Sequence, residues 1–380
     1  MEIIHYSKAH HQFREKVRNF MRKEITPNID QWEKDRIMPR SAWKRMGEEK
    51  LLCTSVSKEY GGLGGDFLNG VIVTEELVRA NHNGLGPTAH SDMIIPYIDS
   101  FASEKNKKKF LPGCVTGEII TAFAMTEPDT GSDIASITTT AVETGDEVII
   151  NGSKIFITNG INSDLVVLVA RDPAVKDSND AISIYLVETG TPGFEKGQKL
   201  NKMGLHSQDT SELFFSNCKI PKENRLGEKG KGWGMLMEKL QQERILTALV
   251  SMASAEYILD WTVEYFKENS GHRKPVPKSQ ANQFALVEMA TDVKIGRTFI
   301  DKLIVEHMED KNIIIETSMA KYWISEMAKQ LGGRCMDMLG EYATLENCPI
   351  VRPWLDARSM PIFAGTNEIM KAIIGKFMGL

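Results

Sequence analysis

A chain of 380 residues, 42% hydrophobic and 26% charged with a formal net charge of −5, is long enough to bury a large core in two or three subdomains. The balance is that of an ordinary soluble protein; it gives no basis for a nucleic-acid partner, and no apolar run has the length of a membrane span. The opening Met1-Glu-Ile-Ile-His5 does not read as a secretory signal, and nearby acidic residues oppose a transit peptide, so a cytoplasmic location is expected. Cysteines stand at Cys53, Cys114, Cys218, Cys335 and Cys348. An odd number without metal-type spacing reads as reduced, mostly buried thiols. The histidines show no ligand spacing either, and no metal is expected.

Taken in order, Ser7 to Lys109 is helical in pattern, with Phe13, Val17, Phe20 and Met21 on one face. Gly61-Gly-Leu-Gly-Gly65 lacks the strand–Gly–helix context of a dinucleotide fingerprint and reads as a loop. Lys107-Lys-Lys109 reads as a solvated face. A strand is expected over Ile119 to Met125. Short β-rich runs follow at Val148–Ile150, Ile155–Ile157, Leu165–Ala170, Ile182–Val187 and Leu213–Phe215, separated by turn formers such as Gly145-Asp146, Asn159-Gly160 and Thr191-Pro-Gly193. After Pro221 the pattern is helical again: Trp233–Lys267, Met289–Met308, Thr317–Leu339 and Met370–Met378, with a polar, proline-containing break over Asn269–Ser279. The order helix–β–helix implies an α+β chain. Its expected parts are a helical N-terminal domain (1–118), a middle antiparallel β domain (119–222) and a C-terminal four-helix bundle (223–380).

The stretch Ala122 to Asp133, Ala-Phe-Ala-Met-Thr-Glu-Pro-Asp-Thr-Gly-Ser-Asp, carries the most chemistry. Pro128 stops the strand, Gly131 lets the backbone approach a bound group, and Thr126 and Ser132 can donate and accept hydrogen bonds. Read alone, it favours a strand-to-loop turn with a Ser-Asp cap over a cofactor loop.

Three further segments alter that reading. Thr126-Glu-Pro-Asp-Thr-Gly-Ser-Asp133, Lys154-Ile-Phe-Ile-Thr-Asn-Gly160 and Gly365-Thr-Asn-Glu-Ile-Met370 resemble, in order and spacing, the flavin-binding segments of the acyl-CoA dehydrogenases. Leu240-Gln-Gln-Glu-Arg244 resembles the central-helix motif of the branches acting on isovaleryl-CoA and long-chain acyl-CoA. The resemblance implies FAD as cofactor, an acyl-CoA substrate and an electron-transfer flavoprotein as electron acceptor. It also implies a homotetramer or a hetero-oligomer with a related subunit. Residue by residue, it places Phe123, Met125 and Thr126 at the flavin ring edge, with Gly131 and Ser132 in the loop and Ser132 reaching toward the ligand. Phe156 and Thr158 would cover the other side, Gln280 would contact the flavin, and Thr366 and Glu368 would lie near the adenosine half. Arg244 is assigned to the CoA side of the cleft. Asp209-Thr210 is expected to hold a loop.

Dehydrogenating a thioester requires a base for the α-proton and a hydride acceptor for the β-carbon. The base must be desolvated so that its pKa rises toward the working pH. Many family members carry it as Glu in Tyr-Glu-Gly-Thr. Here that run is Phe363-Ala-Gly-Thr366, and Ala364 cannot act as a base. In the isovaleryl- and long-chain branches the carboxylate sits on the central helix, and the matching residue is Glu243. The family's contacts to the flavin pyrophosphate are altered: Asn269 stands in place of an Arg, Asp337 in place of a Gln, and Glu341 in place of a Gly. Three consequences are open: Arg273 or Lys274 replaces the lost cation, FAD binds weakly, or a partner subunit supplies an intact half-site. An acyl-CoA oxidase of the same fold and a non-catalytic subunit are the rival readings.

Overall fold

The computed structural model describes residues 3–83, 85–177, 179–268 and 280–380; Asn269, Arg273 and Lys274 lie outside these. Its central element follows from composition. Gly232–Glu268 (α8) runs 37 residues, and every residue from Arg244 to Ala255 is buried. A helix apolar on all sides belongs in the middle of a domain. Its polar exceptions fold back on the helix: the hydroxyls of Thr247 and Ser251 donate to the carbonyls of Glu243 and Thr247, each at 2.9 Å.

Around α8 stand Gln280–Met308 (α9), Ile314–Leu339 (α10) and Asn367–Phe377 (α12), the expected four-helix bundle, with Val351–Ala357 (α11) alongside. The helices α9, α10 and α12 all start earlier than their apolar periodicity implies. In α9 the residues before Met289 bury no stripe: Phe284 and Val287 are 58% and 64% exposed. In α12 the first turn is set by a cap, the Thr366 hydroxyl accepting from Ile369 N at 3.2 Å.

Seven helices precede the sheet: Lys8–Phe20 (α1), Ile29–Asp35 (α2), Arg40–Glu48 (α3), Phe67–Arg79 (α4), Leu85–Thr88 (α5), Ile95–Phe101 (α6) and Glu104–Thr116 (α7). A π-helical stretch, Ala89–Ile94, runs into α6. The glycine cluster is a loop, with Gly61 and Gly64 in the left-handed region. An ionic knot ties these helices to the bundle. Arg297 on α9 donates to Glu256 on α8 at 2.7 Å and to Glu75 on α4 at 2.8 Å, and Arg14 on α1 reaches Glu75 at 2.7 Å.

Between the helical parts lies a single sheet. Its strands are Thr121–Ala124 (β1), Thr140–Thr144 (β2), Glu147–Thr158 (β3), Leu165–Arg171 (β4), Ile182–Glu188 (β5), Phe194–Lys199 (β6), Thr210–Pro221 (β7) and Arg225–Leu226 (β8). They run in the order β6-β7-β3-β2-β4-β5-β8, with β1 beside β4. The sheet departs from the antiparallel expectation at two places, where β1 and one residue of β2 pair parallel to β4. The runs at Val148–Ile150 and Ile155–Ile157 form one strand, β3, interrupted by irregularities at Ile150/Gly152 and Lys154/Ile157. Strand β4 is buried on both faces, which explains its unbroken apolar run. Leu165, Val167 and Val169 face the helical core, and Val166, Leu168 and Ala170 face the sheet's own core.

The segment 200–209 is where the three parts meet. Leu205 N donates to Asp356 Oδ1 at 2.5 Å in the C-terminal part, and Ser207 N to Glu33 Oε1 at 2.9 Å in the N-terminal part. Asp209 accepts from the backbone of Ile161 and Asn162 at 2.7 and 3.2 Å and so holds the loop after β3. All five cysteines are buried and free. Among the described residues no helix is long and apolar enough to cross a membrane, and no group of acidic, His or Cys side chains could hold a metal.

Candidate active site

Strand β1 ends at Ala124, and the loop behind it is held by one buried ion pair. Lys154 Nζ, from β3, donates to Glu127 Oε1 and to the Met125 carbonyl, each at 2.9 Å. Glu127 also accepts from Thr138 N and Oγ1 at 2.6 Å and from Thr139 N at 2.9 Å. Both side chains are buried, Lys154 completely. Burial alone would raise the Glu127 carboxyl; the Lys154 ammonium and the donated hydrogen bonds outweigh it and bring it down to about 2. Burial pushes Lys154 down to about 8 against the pull of Glu127. The pair fixes Thr126 and the following loop against β3, where Ile155 N donates to the Thr126 carbonyl at 3.0 Å. Gly131 faces open space: a Cβ there would meet only Thr126 Cγ2, at 3.9 Å. Ser132 is exposed.

The irregularity at Lys154/Ile157 turns Phe156 outward. Its φ is 60°, in the left-handed region, and its ring is 65% exposed. A bulky residue there is a backbone outlier, and bulges commonly re-aim a side chain beside a site. Thr158, at the end of the strand, accepts from Gln208 Nε2 at 2.9 Å.

Glu243 lies on α8, just before its fully buried run. The carboxyl accepts no side-chain or backbone hydrogen bond from any described residue. Burial pushes it up to about 7, with Arg244 and Lys321 pulling the other way. Tyr97, on α6, feels the Glu243 charge. Burial and that carboxylate together push its hydroxyl well above the ordinary range, and the hydroxyl has no partner among the described residues. The Tyr97 ring stacks on Phe123 with centroids 5.0 Å apart and planes 26° apart. Glu243, Tyr97 and Phe123 thus connect the bundle to β1. Arg244 is buried, with Nη1 donating to Ser318 at 3.2 Å and Nε unpartnered.

The turn before α12 completes the site. Ala364 and Gly365 both have positive φ, 53° and 85°. Lys321 on α10 donates to the Gly365 carbonyl at 2.5 Å and to Asn367 Oδ1 at 3.2 Å. Glu368 lines a pocket of about 580 Å³ with Tyr322, Trp323, Arg334, Arg358 and Lys371. The site predicted from the sequence is therefore gathered at three places: the loop after β1 with Phe156, the Glu243 helix, and the turn before α12. Gln280 stands exposed at the start of α9, and Asp337 is exposed at the end of α10 with Glu341 just beyond it. Sequence reasoning did not single out Tyr97, Glu127, Lys154 or Lys321. A signal for Lys321 was present: it falls in the stripe Thr317, Lys321, Ile324, Ala328, Leu331 and Cys335, spaced for one helix face, and all six are buried.

Three family models match the chain in register: the acyl-CoA dehydrogenase N-terminal domain over residues 7–118, the middle domain over 122–218 and the C-terminal domain over 230–379. The long-chain specific mitochondrial acyl-CoA dehydrogenase of Sus scrofa is 40% identical over 372 residues, 98% of this chain and 86% of that protein. The crystal structure of an acyl-CoA dehydrogenase from Geobacillus kaustophilus superposes with a TM-score of 0.96 at 48% identity, covering 99% of each chain. A structure described as the electron transferring flavoprotein of Acidaminococcus fermentans matches with a TM-score of 0.93 at 32% identity, over 100% of this chain and 99% of that one.

The chain belongs to the acyl-CoA dehydrogenase family. It is an oxidoreductase of acyl-CoA thioesters, of the flavoprotein class that serves fatty acid β-oxidation, with FAD as cofactor. The residues present fit that cofactor: an exposed aromatic held out by a bulge, an open glycine, and hydroxyls at Thr126 and Ser132 along one edge.

Breaking the buried pair should be costly. Lys154→Met leaves the Glu127 carboxylate buried without its cation, so chemical denaturation should show a loss of about 3–5 kcal/mol. A loss below about 1 kcal/mol would contradict the anchoring role.

Proposed function

We propose that Glu243 is the base that removes the α-proton of the acyl-CoA. The observation that carries this reading is a half-buried carboxyl on α8 with no hydrogen-bond donor among the described residues, which desolvation pushes up to about 7. Such a group is ionised in part at neutral pH and gains from accepting a proton. The rival position is closed by chemistry, since Ala364 offers only a methyl group. FAD, when bound, supplies the acceptor for the β-hydride at N5. Phe123, Met125, Thr126, Gly131, Ser132, Phe156, Thr158, Gln280, Thr366 and Glu368 are the residues assigned to hold it. Ser132 and Arg244 are assigned to the substrate. Tyr97 stacks on Phe123, and the Glu243 charge acts on the Tyr97 hydroxyl. The likeness to the long-chain enzyme supports a long-chain acyl-CoA as substrate, and the likeness to the Acidaminococcus flavoprotein structure supports an electron-transfer flavoprotein as acceptor.

A second reading, a flavin-poor subunit of a hetero-oligomer rather than a homotetramer, is favoured by one feature. Asp337 and Glu341 put carboxylates where the family resemblance places contacts to a neighbour's pyrophosphate, and like charges repel. Purified alone, a chain of that kind binds FAD at well below one per chain in the visible spectrum. One FAD per chain in a homotetramer overturns it.

Glu243→Gln should lower kcat by about 10²–10⁴-fold with flavin still bound; near-normal turnover would refute the base. In the parent enzyme kcat should rise as pH increases through about 7, because only the carboxylate can accept the proton. A flat profile between pH 5 and 9 excludes the assignment. The same shift has a stability sign. A carboxyl whose folded pKa is raised costs stability once pH exceeds its unfolded pKa, and the full cost is reached above the folded one. Glu243→Gln should therefore unfold at a higher temperature than the parent at pH 8, with the gap closing toward pH 4.

A further inference from the structure

Gln241 and Gln242, the two residues before Glu243, have no role in proton abstraction, yet their side chains tie α8 to three other segments. Gln242 Nε2 lies 2.5 Å from the Asp92 carbonyl in the π-helical stretch, and Gln242 Oε1 lies 3.2 Å from His307 Nε2 near the end of α9. Gln241 Nε2 lies 3.2 Å from His307 Nδ1 and 3.1 Å from the Lys311 carbonyl, in the loop before α10. Gln241 Oε1 accepts from Ile313 N at 2.9 Å. The His307 ring packs against Phe67 of α4, with centroids 4.8 Å apart and planes at 71°.

Two backbone groups fix the hydrogen positions along this chain. The Asp92 carbonyl can only accept, so the Gln242 atom facing it is the amide nitrogen, and the Gln242 oxygen is turned to His307. The Ile313 N–H can only donate, so the Gln241 atom facing it is the oxygen, and the Gln241 nitrogen is turned to His307. The imidazole thus meets an acceptor at Nε2 and a donor at Nδ1. One form satisfies both: the neutral ring with its hydrogen on Nε2. An imidazolium would set Nδ1–H against the Gln241 NH2 group. Burial lowers the His307 pKa in the same sense, while Asp310 just past α9 raises it and Lys239 on α8 lowers it.

The donors therefore run one way, from Ile313 N through Gln241, His307 and Gln242 to the Asp92 carbonyl. Gln242 is peptide-bonded to Glu243. The last link joins the turn of α8 that carries the carboxyl to the stretch running into α6, where Tyr97 stacks on Phe123. We propose that His307, in its neutral Nε2–H form, is a positioning residue of the dehydrogenation: through Gln242 it holds the Glu243 turn of α8 against the π-helical stretch. This rests on Glu243 being the base.

The form of the ring is read first, by nitrogen NMR of the histidine-labelled, FAD-loaded enzyme at neutral pH, with the His307 signals identified by their loss in His307→Gln. A neutral ring carrying its hydrogen on Nε2 is expected; a hydrogen on Nδ1, alone or on both nitrogens, overturns the proposal. His307→Leu and Gln242→Met fill the junction without hydrogen bonds, whereas His307→Gln keeps a donor for Gln242. In whichever apolar variant folds, kcat should fall roughly 10- to 100-fold, the scale of a displaced catalytic group. KM for the acyl-CoA and the FAD content should stay within about twofold of the parent, as for an interaction that serves the transition state alone. His307→Gln should recover most of the loss. A lower thermal midpoint with unchanged kcat, or a loss that His307→Gln does not recover, overturns the proposal. Because His307 acts through Glu243, His307→Leu should slow the Glu243→Gln enzyme no further; an added loss as large as in the parent overturns it. If Glu243→Gln is inactive while His307→Leu and Gln242→Met keep the parent kcat, only the role of His307 fails; if Glu243→Gln still turns over, the base assignment fails as well.

Discussion

The burial of one long helix, α8, is the constraint on which the C-terminal bundle depends. Glu243 stands on a helix whose next twelve residues are all buried, and it is itself half-buried. A carboxylate in water is too well solvated to be an effective base. The length and all-round burial of α8 are what remove that solvation, and the rest of the bundle exists around this helix. Tyr97 and Phe123 extend the dry surface to the edge of the sheet, where the β1 loop begins.

Two short backbone segments have to be held beside that carboxyl, and the chain holds both with a buried lysine. Lys154 caps the Met125 carbonyl and neutralises Glu127; Lys321 caps the Gly365 carbonyl. The two solutions differ in their electrostatics. The first charge is matched by a carboxylate at hydrogen-bond distance and acts as a clamp. The second has no such counter-ion among the described residues, so its field reaches outward. A buried charge without a close partner is tolerated only where neighbouring groups compensate it, and here the Glu368 and Glu243 carboxylates act in that sense.

Much of this was legible in the residues. The central helix, the bundle and the β-rich middle followed from periodicity and turn formers, and the Leu240–Arg244 motif pointed to Glu243 before any geometry. Other features were hidden for physical reasons. The parallel pairing of β1 with β4 is a long-range choice that no local pattern records. The first turns of α9 carry exposed apolar residues, so the helix had no face to read there. The resemblance assigned Phe156 to the flavin, but its outward turn could not be read, because the bulge depends on pairing with β7. No role was read for Lys154 or Lys321 from the residues; the three-dimensional packing shows that both side chains are fully buried.

The backbone at Phe156 bears on the flavin contact proposed for its ring. Holding a non-glycine residue in the left-handed region costs on the order of 1–2 kcal/mol, and that cost is borne when the chain folds. The ring is then presented before any ligand arrives, and capture needs no rearrangement of β3. On that proposal, rigidity that the native fold already sustains would serve binding at the expense of thermal robustness.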